Sequence, residues 1–231
     1  PDAQYADKVV ILTDDLVAYP NTPNSISERD VDYVVVVDSV GDSSKISSGA
    51  IRDSKNPRDI LLAKEAAKVI INSGYFKNGF SIQTGTGGAS LAAVKYIRNK
   101  MIEDGIKASF ALGGITAHMV KMHEEGLIER LIDVQSFDKV AAESLKNDPM
   151  HKEVTSVEYA AADDLGSAVH YLDIVILSAL ETDVNFNVNV LVGSDGVIRG
   201  AIGGHPDTAA NSALSIIVCP LLRGRIPCVV D

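Results

Sequence analysis

The sequence has no tryptophan, only two cysteines, and no apolar run near the roughly 18 residues that a membrane-crossing helix needs. Its opening residues, PDAQYADK, lack the basic start and apolar centre of a secretory signal, so no membrane partner is expected. They also lack an initiator methionine, and the chain is expected to be a piece of a longer protein. Positive charge is scarce: 21 Lys and Arg stand against 31 Asp and Glu, a formal net charge of −10, with no basic cluster. Phosphate binding is driven by clustered Lys and Arg that release counterions, so nucleic acid is not expected as a partner. Cys219 and Cys228 could pair, but both lie in the last apolar segment. Two buried thiols in a reducing cytosol are the expectation, which makes the location cytoplasmic.

What is present is an ordinary globular composition, 46% hydrophobic and 23% charged, in a chain long enough to bury a substantial core. Strands alternate with helices over most of residues 57–231, which predicts an α/β fold: an open, mostly parallel sheet with helices on both faces. Residues 1–44 carry two apolar runs, Lys8 to Thr13 and Val31 to Asp38, with no helix between them, too little for a domain. Residues 45–56, rich in Ser, Gly and Asp, read as a connection. Asn56-Pro57 then supplies a cap and a first-turn proline, and Ile60, Leu61, Ala63, Ala67, Ile70 and Ile71 follow at helical spacing up to Gly74. Residues 147–167 are polar and irregular and are predicted to be a surface loop without chemistry.

Three glycine-bearing turns follow predicted strands, at Gly85 to Gly88, Gly113-Gly114 and Gly200 to Gly204. Ligands of open parallel sheets collect at the carboxyl ends of the strands, so the three should meet at one crevice. In the first turn, Ser90 stands where a dinucleotide fingerprint needs its third glycine, and no lysine supplies a P-loop. Gly85, Thr86, Gly87 and Gly88 are left as a nest for an oxyanion or carboxylate, or as a tight turn with no ligand. His118 and His123 are five apart and do not share a helix face, so no metal site is expected.

The stretch from Leu172 to Asp207 organises the rest. In residues 184–192, Val184, Phe186, Val188, Val190 and Val192 alternate with Asn185, Asn187 and Asn189, the period of a half-buried strand. The asparagines either bind neighbouring loops or orient a polar ligand. Arg199 and His205 are candidates for a substrate carboxylate or, equally, for turn-closing roles. Gly203-Gly204 would allow close backbone approach.

The succession of an apolar strand, the turn SALETD, an Asn-rich strand and GSDGVIRGAIGGHPD resembles the second half of the coenzyme A transferase family. With FSIQTGTGGASLA, FALGGIT and LIDVQSFD, it is similar within that family to the citrate lyase alpha chains. The resemblance implies a coenzyme A transferase-like fold, with residues 1–44 as the end of a preceding α/β transferase domain and 57–231 as a second one, truncated at its end. It implies an acyl exchange in which citrate replaces acetate on the thioester of an acyl carrier protein. No cofactor would be bound in this chain, which would act on the carrier's coenzyme A-like prosthetic group. The implied partners are citrate, acetate, the acyl carrier protein subunit and the citryl lyase subunit, in an oligomer. Within that reaction Gly85 to Gly88 are expected to serve the oxyanion, Gly113, Gly114, Gly203 and Gly204 the thioester arm, and Arg199, His205, Asn187 and Asn189 the substrate. Wider-family members use a glutamate nucleophile, and the matching turn Ala111 to Ile115 holds no carboxylate. Direct attack by the citrate carboxylate, through a mixed anhydride, is therefore expected. A transferase for another small acid and a non-catalytic metabolite-binding domain are the alternatives.

Overall fold

The computed structural model describes residues 2–22, 24–42, 54–85 and 88–231. A single turn, α1 (Asp2–Tyr5), precedes β1 (Val10–Thr13) and β2 (Tyr33–Val36), which pair in parallel in a sheet of their own. The connection residues 45–53 lie outside the described residues. Ser54 and Asn56 already serve the next helix, α2 (Pro57–Asn72): Asn56 accepts from the Arg58 amide at 3.0 Å and Ser54 donates to Asp59 at 2.6 Å. Pro57 occupies the first turn, where a missing N–H costs nothing. Ala63, Ala66, Ala67 and Ile70 form the buried stripe, and Gly74, at φ +83°, follows the end of the helix.

The main body follows as β3 (Phe80–Thr84), α3 (Gly88–Asp104), β4 (Ala108–Ile115), α4 (Ala117–Glu124), β5 (Leu131–Ser136), α5 (Lys139–Asn147), β6 (His151–Glu153) and α6 (Ser156–Ala160). After these come β7 (Ile174–Ser178), β8 (Glu181–Asp183), β9 (Val188–Asn189), α7 (His205–Asn211), β10 (Leu214–Val218), β11 (Leu222–Arg223), β12 (Ile226–Pro227) and β13 (Val229–Val230). Six strands form one sheet in the order β10-β7-β3-β4-β5-β6, and every pairing in it is parallel. The open parallel sheet predicted for this region is what forms.

Helices cover both faces of that sheet. On one, α2, α3 and α4 bury Ile70, Ile97, Met101 and Met119 against Phe80, Ile82, Ile174 and Ile176; on the other, Tyr159, Val169 and Leu172 pack on Leu112, Val175 and Leu177. Each large aliphatic chain removed from water contributes about 1.5–3 kcal/mol, which makes these two layers the principal source of stability. Asp138 joins two helices: its carboxylate accepts the Ala141 amide at the start of α5 and the Ala117 amide at the start of α4. No described helix is long and apolar enough to cross a membrane.

Several expectations change. Residues 147–167 are not a plain loop. They contain β6 and α6, the latter closed by reciprocal bonds between Thr155 and Glu158, and they bury His151 and Tyr159. His151 bonds Asp133 at 3.1 Å and Ser144 at 2.9 Å, fastening the edge strand to β5 and α5. The alternation over residues 184–192 does not make one strand. The chain turns at Phe186, φ +65°, and returns as an antiparallel pair of β8 and β9, leaving Val184 and Phe186 exposed. Period-2 patterning fails here because the Asp183 carboxylate accepts the Asn185 and Asn187 amides and holds a turn in place of an extended chain. The His123 ring bonds both the Ile128 carbonyl and Asp148. Cys228 is buried but Cys219 only half-buried, and both are free thiols.

Candidate active site

At the carboxyl ends of β3, β4, β5 and β7 the chain leaves a cleft of about 650 Å³, within the usual size of a small-molecule site. Its walls include Gly85, Gly114, Gly200, Gly203 and Gly204, so segments from all three predicted glycine turns do meet there. Thr86 and Gly87 lie outside the described residues. Gly88 stands against Ser54 and Asp59 at the start of α2 and does not line the cleft.

Gly113, Gly114 and Gly204 do not leave the open surfaces that sequence reasoning assigned to them, whereas Gly203 has open space beside it. Gly113 and Gly114 are not in a turn: they remain inside β4, with the register against β5 shifting between them. A Cβ on Gly114 would fall 1.6 Å from the Phe137 ring, and one on Gly113, which sits at φ +99°, would fall 2.8 Å from the Gln83 amide carbon. A Cβ on Gly204 would fall 2.6 Å from the Tyr159 ring. Close approach is thus used by the protein's own side chains. Phe137, Gln83 and Tyr159 line the cleft, and Gln83 donates to the Tyr159 hydroxyl at 2.7 Å. Burial pushes the Tyr159 phenol upward, holding it neutral. The Gly85 N–H donates to the Ile176 carbonyl at 2.7 Å, which removes it as an oxyanion donor. Ser90 is fully buried, and its hydroxyl bonds that of Ser178 at 2.9 Å.

Of the four predicted substrate residues, Arg199 and His205 line the cleft and Asn187 and Asn189 do not. Asn187 donates to Asp183 at 2.7 Å, and Asn189 donates to Glu181 at 3.2 Å and to the Val192 carbonyl at 2.5 Å. These amides shape their own hairpin, the first of the two roles weighed for them. Ser194 O–H and N–H bonds hold Glu181 below the usual carboxylate range, with further help from Asn189. The Arg199 guanidinium grips Asp195 through both terminal nitrogens, which lowers that carboxyl to about 2. The His205 ring bonds the Ser178 carbonyl at 3.1 Å. Arg223, on the β11–β12 hairpin, lines the same cleft. No Asp or Glu lines it among the described residues, and no described group of three or more His, Cys, Asp or Glu is arranged to hold a metal.

Sequence reasoning missed Gln83, Phe137 and Tyr159. The glycines opposite them were the available signal, because an aromatic or amide facing a glycine reports close packing as readily as ligand access.

The family model described as citrate lyase, alpha subunit, matches residues 1–231. The citrate lyase alpha chain of Haemophilus influenzae is 59% identical over 230 residues, covering 100% of this chain and 46% of the relative. That of Escherichia coli K12 is 59% identical, with 100% and 45% covered, so the chain spans about half the length of the curated relatives it matches. A Streptococcus mutans structure, assigned as the alpha subunit of citrate lyase and solved in complex with citrate, superposes with a TM-score of 0.91 at 58% identity, over 100% of this chain and 45% of that one. A malonate decarboxylase alpha subunit from Acinetobacter baumannii (TM-score 0.57, 19% identity, 90% and 38% covered) shares the fold. So does an acyl-CoA transferase from Escherichia coli O157:H7 (0.50, 18%, 97% and 40%).

Proposed function

The chain belongs to the citrate lyase alpha subunit family, and from that membership we propose that it supplies the acyl-exchange cleft through which citrate replaces acetate on an acyl carrier protein. A citrate carboxylate oxygen attacks the carbonyl carbon of the acetyl thioester, and the carrier thiolate leaves, forming a citryl-acetyl mixed anhydride. The thiolate then attacks the citryl carbonyl, a new thioester forms, and acetate departs. Neither step requires an enzyme nucleophile. The observation that carries this reading is the composition of the cleft: backbone and neutral polar groups with the guanidinium groups of Arg199 and Arg223, and no carboxylate among the described lining residues that could form a glutamyl intermediate. Phe137, Leu177, Ala179 and Ile202 give the cleft apolar walls that would exclude water from the anhydride.

Residues 1–44 and 57–231 are proposed as parts of two successive transferase domains. Citrate, the acyl carrier protein and the citryl lyase subunit are the proposed partners, in an oligomeric assembly in the cytoplasm. The test is acetate release by the full-length protein from acetyl-carrier and citrate. Turnover that needs both substrates, with no protein-bound thioester trapped by borohydride, is expected. Absence of citrate-dependent acetate release would refute the function, and a trapped glutamyl species would refute the direct route.

A further inference from the structure

Two guanidinium groups line the cleft, and they are in different electrostatic states. Arg199 faces Asp195 in a two-pronged pair, both terminal nitrogens engaged, and the two charges cancel. The pair closes the turn of residues 193–199, where the Gly193 amide donates to the Val197 carbonyl and the Arg199 amide to the Leu191 carbonyl. Arg223 has no ion pair with any described carboxylate, and its one hydrogen bond among the described residues is a long contact of 3.4 Å to the Ala179 carbonyl. Its positive charge lines the cleft without an ion-pair partner among the described residues, on a chain of net charge −10.

The backbone that carries Arg223 is fixed. The β11–β12 hairpin pairs Leu222 with Pro227 and Arg223 with Ile226, turning at Gly224, φ +65°. The Leu222 carbonyl accepts from the Arg58 guanidinium at 2.9 Å, anchoring the hairpin to the start of α2, and the Cys228 amide donates to the Leu221 carbonyl at 2.9 Å. A guanidinium on a fixed hairpin presents parallel N–H donors without the ordering cost a loop would impose.

We infer that Arg223, and not Arg199, holds a carboxylate of the acid substrate, while Arg199 is a turn-closing residue. The ligand class is a small polycarboxylate, for which a charge-compensated guanidinium would have to exchange one carboxylate for another with little gain. This assignment rests on the function proposed above.

The experiment uses the full-length protein and steady-state acetate release with citrate and acetyl-carrier varied independently. Arg223→Ala is expected to raise the citrate KM at least about tenfold while moving the carrier KM less than about threefold. Arg223→Lys should recover part of that loss, because an ammonium supplies charge without the two parallel bonds. Added guanidinium ion at low millimolar concentration should lower the citrate KM of Arg223→Ala and leave the wild type unchanged. Arg199→Ala should lower Tm and raise the citrate KM less than Arg223→Ala does. A citrate KM that rises as much or more in Arg199→Ala, or an Arg223→Ala variant that loses Tm and kcat with an unchanged citrate KM, would overturn the assignment. Wild-type protein that releases no acetate with citrate would instead remove the proposed function, and the assignment with it.

Discussion

Ile174, Val175, Ile176 and Leu177 of β7 are almost wholly buried, whereas Val184, Phe186 and Val188, a short way further along the chain, face solvent. Both stretches are apolar and rich in β-branched or large side chains, so composition does not separate them. Position does. β7 lies between β10 and β3, and its two faces point into the two helical layers. The stretch after it leaves the sheet at its carboxyl end, where Glu181, Asp183 and Asn189 collect amide donors and fold the chain into a hairpin beside the cleft. One region is held by removal of apolar surface from water and the other by a web of polar bonds. The site is built where the first kind of support gives way to the second.

The largest effect that would test this contrast is cavity formation in β7. Ile176→Ala should cost about 2–5 kcal/mol of unfolding free energy, because the packed layer around the side chain collapses only in part. Val184→Ala should stay within about 0.5 kcal/mol. Denaturant titration of the full-length protein measures both, and similar losses would abolish the distinction. Asn189→Ala comes next, at roughly 1–2 kcal/mol, since it removes the donor to Val192 and Glu181 and the acceptor of the Leu191 and Val192 amides. Its signature should be faster hydrogen exchange at Leu191 and Val192 with no change in β7. Phe186→Asn should go the other way, by about 0.5–1 kcal/mol: the site has positive φ, which asparagine tolerates, and the phenylalanine ring it replaces is 87% exposed. A destabilised variant would mean that the ring packs on something in the full-length protein.

The parts of the molecule governed by burial were legible in the sequence. The stripe of α2, its Asn56-Pro57 start and the parallel order of strands and helices follow from patterns with one dominant physical cause. The convergence of the glycine segments was legible too, because topology alone brings strand ends together. What those glycines do was not. Gly114 accommodates Phe137 and Gly204 accommodates Tyr159, long-range packing that no local spacing reports. The Asn face of residues 184–192 misled for the converse reason: alternation signals a strand only where the backbone lacks a better local partner, and Asp183 supplies one. The two arginines were distinguishable only once Asp195 was seen across from Arg199.

The contrast also has a pH signature, smaller in total stability but specific in place. Glu181 is held below its ordinary range by the Ser194 hydroxyl and amide, Asp183 by Asn187 and the adjoining amides, and Asp195 is lowered to about 2 chiefly by Arg199. Each folded-state pKa lies below the unfolded value of about 4. The stability these carboxylates contribute is therefore present above about pH 4 and disappears as pH falls through the depressed folded values. Among the described residues no hydrogen bond joins a shifted carboxylate to β7, which is held by burial and the sheet ladder. Acidification should thus loosen the hairpin region before the sheet. The amides of Asn185, Asn187, Ser194 and Val197 donate directly to these three carboxylates and are the reporters. Hydrogen exchange, corrected for the intrinsic pH dependence of the chemistry, should show their protection falling between about pH 4 and pH 2 while the amides of β7 stay protected. The Val197 amide should be the last of the four to open, because Asp195 carries the strongest depression. Simultaneous loss in both regions would show that the cleft-side hairpin and the sheet unfold as one unit and that burial supports both.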